Sequence, residues 1–402
     1  MKHKSRTATY AHTVRGCFAG YVVQAIINNF APLLFTTFRT EFALSLSRIA
    51  LLVTFNFGVQ LTVDLAASVL ADKIGCRRCM IAAHLCCGAG LLALAFLPSL
   101  LPSPFAGVLL AVTVYAVGGG LLEVLVSPIV ENCPGDGKAG RMSLLHSFYC
   151  WGTVAVVLLS TLFFAAFGTV RWRVIACLWA LVPFGNAVVF TRVPIPDPAH
   201  EAKGTPIRTL FGTKLFLPVL LLMFCAGAAE QAVSQWASAF TETAIGVNKT
   251  TGDLLGTMMF SVLMGLSRLF YGRHSEKIPL LRFMVGSGIL CAVGYLLTSL
   301  SPHAVGGLIG CAVCGLSVGI FWPGATSLAA RLIPTGGTAM FAFMALAGDV
   351  GCASGPTFVG VLSDRAGDLH VGILTAIGFP LLLLAGLWWF RHIQKTEGSV
   401  CN

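Results

Sequence analysis

Four carboxylates lie inside long apolar stretches of the chain, where a charged side chain is costly. They are Asp64, Glu123, Glu230 and Asp349. A carboxylate in such surroundings usually faces a cavity or a partner, although it can also serve only to lock helices together. Desolvation penalises the charged form of a carboxyl group, so this group can load and release a proton when its access to water alternates. We therefore predict proton coupling at these residues, with Glu123 foremost.

Amide side chains recur at helical spacing in the same stretches. Asn56, Gln60 and Asp64 lie four residues apart and share one face of a helix, and further amide pairs have the same spacing. Such a stripe fits either a cavity wall or a hydrogen-bonded seam between helices. A sugar presents hydroxyl groups and flat C–H faces, so its site needs amides beside an aromatic platform. The predicted solute-binding residues are Gln24, Asn28, Asn56, Gln60, His146, Tyr149, Gln231, Gln235, Trp236 and Trp322.

Three of these candidates, and one arginine, have alternative roles. His146 can accept a proton or bond a hydroxyl group, but it can equally bridge two helices. Trp236 and Trp322 can form the aromatic platform, whereas tryptophans near span ends also form interfacial belts. Arg268 is expected to extend its charged end toward the inner surface.

The composition identifies the elements that must position these residues. The chain has 402 residues, is 56% hydrophobic and 10% charged, and has a mean hydropathy of +0.84, as expected of an all-α integral membrane protein. Twelve apolar runs are long enough to cross a hydrocarbon core of about 30 Å as helices. They cover residues 14–37, 48–71, 79–101, 106–130, 141–167, 172–192, 215–240, 251–272, 280–300, 305–332, 338–363 and 371–391.

The basic residues predict the orientation of the chain. If both termini are cytoplasmic, twenty of the 26 Lys and Arg residues fall on the inner side, the distribution typical of cytoplasmic loops. This distribution, and not nucleic-acid binding, accounts for the formal net charge of +10. We therefore predict a multi-pass protein of the plasma or inner cell membrane, with the lipid bilayer as its surroundings and no nucleic-acid partner.

A proline-rich polar stretch divides the twelve runs into two sets of six. The predicted parts are an N-terminal bundle (1–192), a central cytoplasmic loop (193–214) and a C-terminal bundle (215–402). The halves resemble each other, since "GVQLTVDLAASVLADKIGCRR" from Gly58 and "GTMMFSVLMGLSRLFYGRHSEK" from Gly256 both end in a basic cluster. Two pseudo-symmetric halves with a site near the midplane are typical of secondary transporters.

The loop "ADKIGCRR", residues 71–78, resembles the D-x-x-G-R/K-R motif of the major facilitator superfamily. It departs from that motif at Ser68, near where a glycine often stands. The resemblance implies the twelve-helix fold of that superfamily. Asp72, Arg77 and Arg78 can pair with neighbouring helix ends and act as a latch between conformations, or they can form a static charge cluster.

Three segments resemble the fucose-permease-like branch of sugar:proton symporters. They are "NNFAPLLFTTFRTEFALS" (28–45), "GGGLLEVLVSP" (118–128) and "RMSLLHSFYCWG" (141–152). The resemblance implies that the functional glutamate of the fourth span is Glu123. The fifth-span glutamine that helps to bind sugar falls on His146, and an acidic residue of the first span falls on Pro32, so both positions depart from the family.

Catalysis is not predicted. Gly315 to Gly319 match G-x-S-x-G, but that hydrolase motif needs a strand and a sharp turn, whereas this copy lies in a continuous apolar run. Its two glycines instead have the spacing of a helix contact. The sequence has no P-loop and no HExxH motif, so we expect no enzymatic activity, no cofactor and no resident metal.

The leading hypothesis is a monomeric, proton-coupled importer of a sugar or similar small polar solute. Sodium is an alternative coupling ion, because carboxylates and amides such as Asp64 and Asn56 can also ligate a cation. The alternative functions are a proton-coupled exporter of amphipathic compounds, a membrane sensor that transports nothing, and an intramembrane enzyme.

Overall fold

The twelve predicted membrane spans are confirmed. The computed structural model describes residues 9–134, 138–196, 207–275, 277–333 and 337–398, and these residues form helices and loops with no strand. Within these ranges, twelve segments are long and apolar enough to cross a membrane. Large apolar side chains such as Leu65 and Leu181 are more than half exposed, as a surface in contact with lipid requires. Residues 197–206 of the predicted central loop lie outside the described part of the chain.

The helices have the following bounds. In the first half they are α1 (Tyr10–Asn29), α2 (Phe35–Phe42), α3 (Leu46–Ile74), α4 (Cys76–Leu100), α5 (Pro104–Asn132), α6 (Lys138–Phe167) and α7 (Trp172–Arg192). They continue as α8 (Ile207–Gly212), α9 (Phe216–Ser234), α10 (Ala237–Thr243), α11 (Lys249–Gly252), α12 (Met259–His274) and α13 (Leu280–Leu300). The last five are α14 (Ala304–Val318), α15 (Phe321–Leu332), α16 (Gly337–Ala366), α17 (Leu369–Thr375) and α18 (Gly378–Gly398).

Several spans consist of more than one helix. The first span is interrupted by a 3-10 turn at Ala31–Leu34, which contains Pro32, and the eighth span contains a π-helical segment at Asp253–Met258. The seventh, tenth and twelfth spans also break, between α9 and α10, α14 and α15, and α17 and α18. Breaks of this kind release backbone carbonyl groups, which must find other donors when they are buried.

The first compact unit contains the described residues of Met1–Ala31 and Val59–His200. In it, α4 packs against α5 and α7, and α1 packs against α6. A buried polar network joins three of these helices. The Asn186 amide nitrogen lies 2.9 Å from the Gly16 carbonyl oxygen and 2.7 Å from His84 Nε2, and His84 Nδ1 lies 2.7 Å from the Met80 carbonyl oxygen. This network fixes the relative positions of α1, α4 and α7.

The second compact unit contains the described residues of Pro32–Gly58 and Glu201–Asn402. A segment from the first half of the sequence therefore packs with the second half. Three polar contacts hold it: Thr36 Oγ1 donates to Glu242 Oε2 at 2.8 Å, Ser47 Oγ donates to Asp364 Oδ2 at 2.6 Å, and Lys249 Nζ donates to the Leu33 carbonyl oxygen at 2.6 Å. Lys249 thus binds a carbonyl group beside the break in the first span.

Two glycines of the G-x-S-x-G sequence allow α14 to pack closely against α12. A Cβ atom on Gly315 would overlap the Phe260 carbonyl oxygen, and one on Gly319 would lie 2.7 Å from the Met264 carbonyl oxygen. The expected helix contact is confirmed. Small residues of this kind let the backbones of neighbouring membrane helices approach each other.

Substitution of Gly315 tests this packing. We expect Gly315→Ala to lower the free energy of unfolding by about 1–3 kcal/mol, because the new methyl group forces α14 away from α12. Gly286→Ala is the matched control, since a Cβ atom there meets nothing within 4 Å. Thermal unfolding of the detergent-solubilised protein measures both. An unchanged midpoint for Gly315→Ala would show that the contact is looser than the structure indicates.

Candidate functional site

A chain of amide hydrogen bonds ends on Glu123 in the first unit. Gln24 on α1 uses both hydrogens of its Nε2 group, one toward Gln60 Oε1 at 2.9 Å and one toward Glu123 Oε2 at 3.3 Å. Gln60 on α3 donates in turn to Asn28 Oδ1 at 3.0 Å. Gln24, Asn28 and Gln60 are all buried. Three predicted solute-binding residues are therefore joined to the predicted coupling residue.

Asp64 on α3 stands beside Glu123. One carboxylate oxygen of each lies within 4.8 Å of the other. Gly120 makes this approach feasible, because a Cβ atom there would lie 2.9 Å from Asp64 Oδ1 and 2.7 Å from the Gln60 carbonyl oxygen. Two ionised carboxylates at this distance repel each other strongly in a medium of low dielectric constant. The pair therefore favours a shared proton or another positive charge.

The fifth span brings two hydroxyl groups toward α1. Asn29 Nδ2 donates to Tyr149 OH at 3.4 Å and to Thr153 Oγ1 at 3.2 Å. Tyr149 is partly buried. Asn29 was not among the predicted residues, because the amide pair of the first span, Gln24 and Asn28, is spaced through its neighbour. Two adjacent asparagines in an apolar run were the available signal.

His146 is exposed and lies next to an aromatic residue of the first span. Its ring centroid is 5.4 Å from that of Tyr21, and the Tyr21 hydroxyl group lies 3.1 Å from Ser127 Oγ. Tyr21 precedes Gln24 by three residues, so both lie on neighbouring positions of one helix face. That spacing was the signal by which Tyr21 could have been found.

The seventh span of the second unit contains a second chain of polar contacts. Gln235 Nε2 donates to Gln231 Oε1 at 3.0 Å, and Gln231 Nε2 donates to Glu230 Oε1 at 3.4 Å. Glu230 Oε2 lies 3.6 Å from Nη2 of Arg268. The guanidinium group of Arg268, which the sequence analysis expects to extend toward the inner surface, pairs with this partly buried carboxylate.

Arg268 is oriented by the break in the tenth span. Pro323 has no N–H group, so it cannot bond the carbonyl group of Gly319 four residues earlier. Arg268 Nε donates to that carbonyl oxygen at 3.1 Å. The guanidinium group is thus held from one side by the backbone of the tenth span and from the other by Glu230.

Four further predicted residues lie in the second unit. Trp236 is completely buried, and its Nε1 donates to the Pro356 carbonyl oxygen at 2.9 Å. The indole ring of Trp322 packs on Gly348, the residue that precedes Asp349. Asp349 and Asn56 are both buried. Among the predicted site residues of the second unit, Glu230, Gln231 and Gln235 are connected by the hydrogen bonds described above.

The predicted latch is described only in part. Arg77 Nη1 donates to the Phe190 carbonyl oxygen at 2.7 Å, close to the end of α7, and Arg78 is exposed. A cation at a helix C-terminus is favourable because it meets carbonyl groups that lack intrahelical donors. The side chain of Asp72 lies outside the described residues.

Twelve spans among the described residues, with broken helices and polar clusters inside them, define a multi-pass membrane protein. Residues 17–356 match the model of the Major Facilitator Superfamily, and the chain belongs to this superfamily of transporters, which are not enzymes. The uncharacterized MFS-type transporter YtbD of Bacillus subtilis (strain 168) is 25% identical over 308 residues, which cover 72% of this chain and 74% of YtbD.

Solved structures share the fold. The fucose:proton symporter FucP of E. coli has a TM-score of 0.64 at 14% identity, with 95% of this chain and 99% of FucP covered. A D-xylose-proton symporter has a TM-score of 0.79 at 12% identity, with 94% and 97% covered. A bacterial homologue of the human lysosomal transporter Spinster, in an inward-facing and unoccupied conformation, has a TM-score of 0.74 at 13% identity, with 96% and 98% covered.

Double substitution tests the pair of Glu230 and Arg268. We expect Arg268→Leu to destabilise the protein, because it leaves a partly buried carboxylate without its counter-charge, and the added Glu230→Leu to recover part of the loss. The coupling free energy from thermal unfolding of both single variants and the double variant should be about 0.5–3 kcal/mol. Strictly additive effects would contradict the ion pair.

Proposed function

We propose that this chain takes up a sugar or a similar small polar solute together with a proton, by alternating access between two six-helix halves (1–192 and 215–402). One observation carries the proposal. The carboxyl groups of Glu123 and Asp64 lie side by side in an apolar bundle, and Glu123 accepts a hydrogen bond from a chain of amide side chains that can bind a polyol. Such intramembrane carboxyl groups commonly mark proton and solute pathways.

Glu123 is the proton site of the proposed cycle. When the site is open to water on one side, the carboxyl group equilibrates with protons there, and when it is open on the other side it releases them. Asp64 favours the protonated state by its adjacent charge, and Gln24 holds the Glu123 carboxylate by a hydrogen bond at 3.3 Å. The neutral and charged forms of the pair therefore interact differently with the amide chain.

The solute site of the proposed cycle uses the polar residues attached to the proton site. Gln24, Asn28 and Gln60 supply amides, and Tyr149 supplies a hydroxyl group. In the second unit, Gln231 and Gln235 form an amide pair of their own. Two proteins of the same fold are named as proton symporters of fucose and of D-xylose, which supports a sugar-like solute for this chain.

We further propose that the protein works as a monomer in the plasma or inner cell membrane with both termini in the cytoplasm. The excess of lysine and arginine residues in alternate loops supports this orientation.

Uptake into proteoliposomes tests the proposal. We expect an inward proton gradient to drive accumulation of at least one member of a panel of neutral hexoses, pentoses and polyols. Glu123→Gln removes the titrating group but keeps a side chain of the same shape that still accepts a hydrogen bond. It should therefore abolish gradient-driven accumulation, while solute exchange at equal pH persists.

Asp364→Asn is the matched control, because it removes an exposed carboxylate that bonds Ser47 and not the amide chain. It should accumulate solute as the wild type does. Full accumulation by Glu123→Gln would refute the assignment of the proton site. Efflux of an amphipathic dye, with no movement of any sugar, would favour the exporter.

A further inference from the structure

Glu230 is a carboxylate in the middle of the seventh span that its neighbours do not fully enclose. The span covers Phe216–Thr243. The side chain of Glu230 is 12% exposed, and that of its partner Arg268 on α12 is 27% exposed. Charged groups inside a span usually face a water-filled cavity or a partner, because contact with lipid is costly. The exposed part of this pair therefore belongs to a water-accessible surface of the second unit.

The two polar contacts of Glu230 among the described residues are long. Its Oε2 atom lies 3.6 Å from Arg268 Nη2, and its Oε1 atom accepts a hydrogen bond from Gln231 Nε2 at 3.4 Å. Charge-assisted hydrogen bonds are typically about 2.7–2.9 Å long. An ionised carboxylate has acceptor sites for about four hydrogen bonds. Glu230 therefore retains acceptor capacity for a donor that approaches more closely.

Arg268 determines which kind of donor suits this carboxylate. Its guanidinium group is always charged, and its Nε atom donates to the Gly319 carbonyl oxygen at 3.1 Å, so its position does not depend on Glu230 alone. A neighbouring positive charge favours the ionised form of a carboxyl group and disfavours the binding of a cation beside it. The preferred ligand of Glu230 is therefore a neutral hydrogen-bond donor.

The residues beside Glu230 match hydroxyl groups. Gln231 Nε2 carries two hydrogens and directs one of them toward Glu230, and Ser234 lies one turn after Glu230 on the same face of α9. A hydroxyl group both donates and accepts a hydrogen bond. Two hydroxyl groups on adjacent carbon atoms can each donate to one carboxylate oxygen, while the amide donates in return. This surface therefore suits a vicinal diol, which sugars and polyols carry.

We propose that Glu230 is a solute-binding residue that accepts hydrogen bonds from two adjacent hydroxyl groups of a neutral sugar or polyol, and that Arg268 is the positioning residue that keeps its carboxylate charged. The sequence predicts proton coupling at Glu230, so the proposal gives this residue a different role. It rests on the proposed transport function and adds a binding residue in the second unit. Glu123 keeps its proposed role as the proton site, beside a second carboxyl group.

Binding of sugars to the full-length protein in lipid nanodiscs tests this role. The midpoint of thermal unfolding is measured against D-glucose, D-galactose and D-xylose, and then against each monodeoxy derivative of the sugar that stabilises the wild type most. We expect the removal of either of two adjacent hydroxyl groups to raise the concentration for half-maximal stabilisation about tenfold to a hundredfold, because a charged acceptor then loses its donor. This comparison needs no variant of the protein.

Variants identify the acceptor. Glu230→Gln keeps the shape of the side chain but removes its charge, so it should bind the parent sugar about tenfold or more weakly and should lose the preference for it over the two sensitive deoxy derivatives. Arg268→Lys keeps the positive charge and should retain most of the affinity, whereas Arg268→Met should weaken binding as Glu230→Gln does. Glu242→Gln is the matched control, because Glu242 is a partly buried carboxylate of the same span that accepts a hydrogen bond from Thr36 instead.

The role of Glu230 is refuted if the wild type tolerates every deoxygenation equally, or if Glu230→Gln keeps the preference of the wild type for the parent sugar. Equal losses of affinity in Arg268→Lys and Arg268→Met would overturn the role of the Arg268 charge. Stabilisation of the wild type by none of the sugars would contradict both this proposal and a sugar as the solute.

Accumulation in proteoliposomes separates the proposal from the proposed function. At a raised sugar concentration, Glu230→Gln should still accumulate sugar in response to a proton gradient, whereas Glu123→Gln should not. Unchanged binding with loss of gradient-driven accumulation in Glu230→Gln would make Glu230 a proton site and would refute only the present proposal. Sugar binding that depends on Glu230, without gradient-driven accumulation by the wild type, would refute only proton coupling.

Discussion

The cost of placing a carboxylate inside a membrane-spanning bundle governs the polar interior of this transporter. Glu123 and Glu230 meet that cost by different means. Glu123 accepts a hydrogen bond from Gln24 and lies beside a second carboxyl group, whereas Glu230 pairs with the guanidinium group of Arg268. A carboxyl group matched by an arginine is stabilised in its charged form, and one placed beside another carboxyl group favours a proton or a cation. The two sites therefore suit different roles.

Breaks in the spans supply carbonyl partners for two basic side chains, Arg268 and Lys249. Pro323 cannot bond the Gly319 carbonyl group, and Arg268 binds it, while the 3-10 turn at Ala31–Leu34 lies where Lys249 binds the Leu33 carbonyl group. Irregular backbone inside a membrane protein is tolerated where such partners are available. The same breaks bring Arg268 to Glu230 and attach the segment after Pro32 to the second unit. The helix breaks thus help to determine where these polar side chains lie, because the carbonyl groups that they release bind them.

Much of the architecture could be predicted from the sequence because it depends on local quantities. A run of about twenty apolar residues is long enough to cross the hydrocarbon core, whatever surrounds it. Gly315 and Gly319 could be assigned to helix packing because their spacing places them on one face. The breaks after Asn29 and Ser234 were not predicted, since neither apolar pattern changes there. The pairing of Arg268 with Glu230 was also missed, because the two residues lie on different spans.

The sequence by itself determined the class of protein, the number of spans and the identity of the costly residues, because hydropathy and charge are properties of each segment alone. Only the tertiary structure decided which of the carboxylates and amides inside the spans contact each other. It placed Asp64 next to Glu123, connected Gln24 to Gln60 and Glu123, and left Gln24 Oε1 without a donor among the described residues. These facts depend on how α1, α3 and α5 approach each other, and that approach is set by glycine contacts between helices distant in sequence.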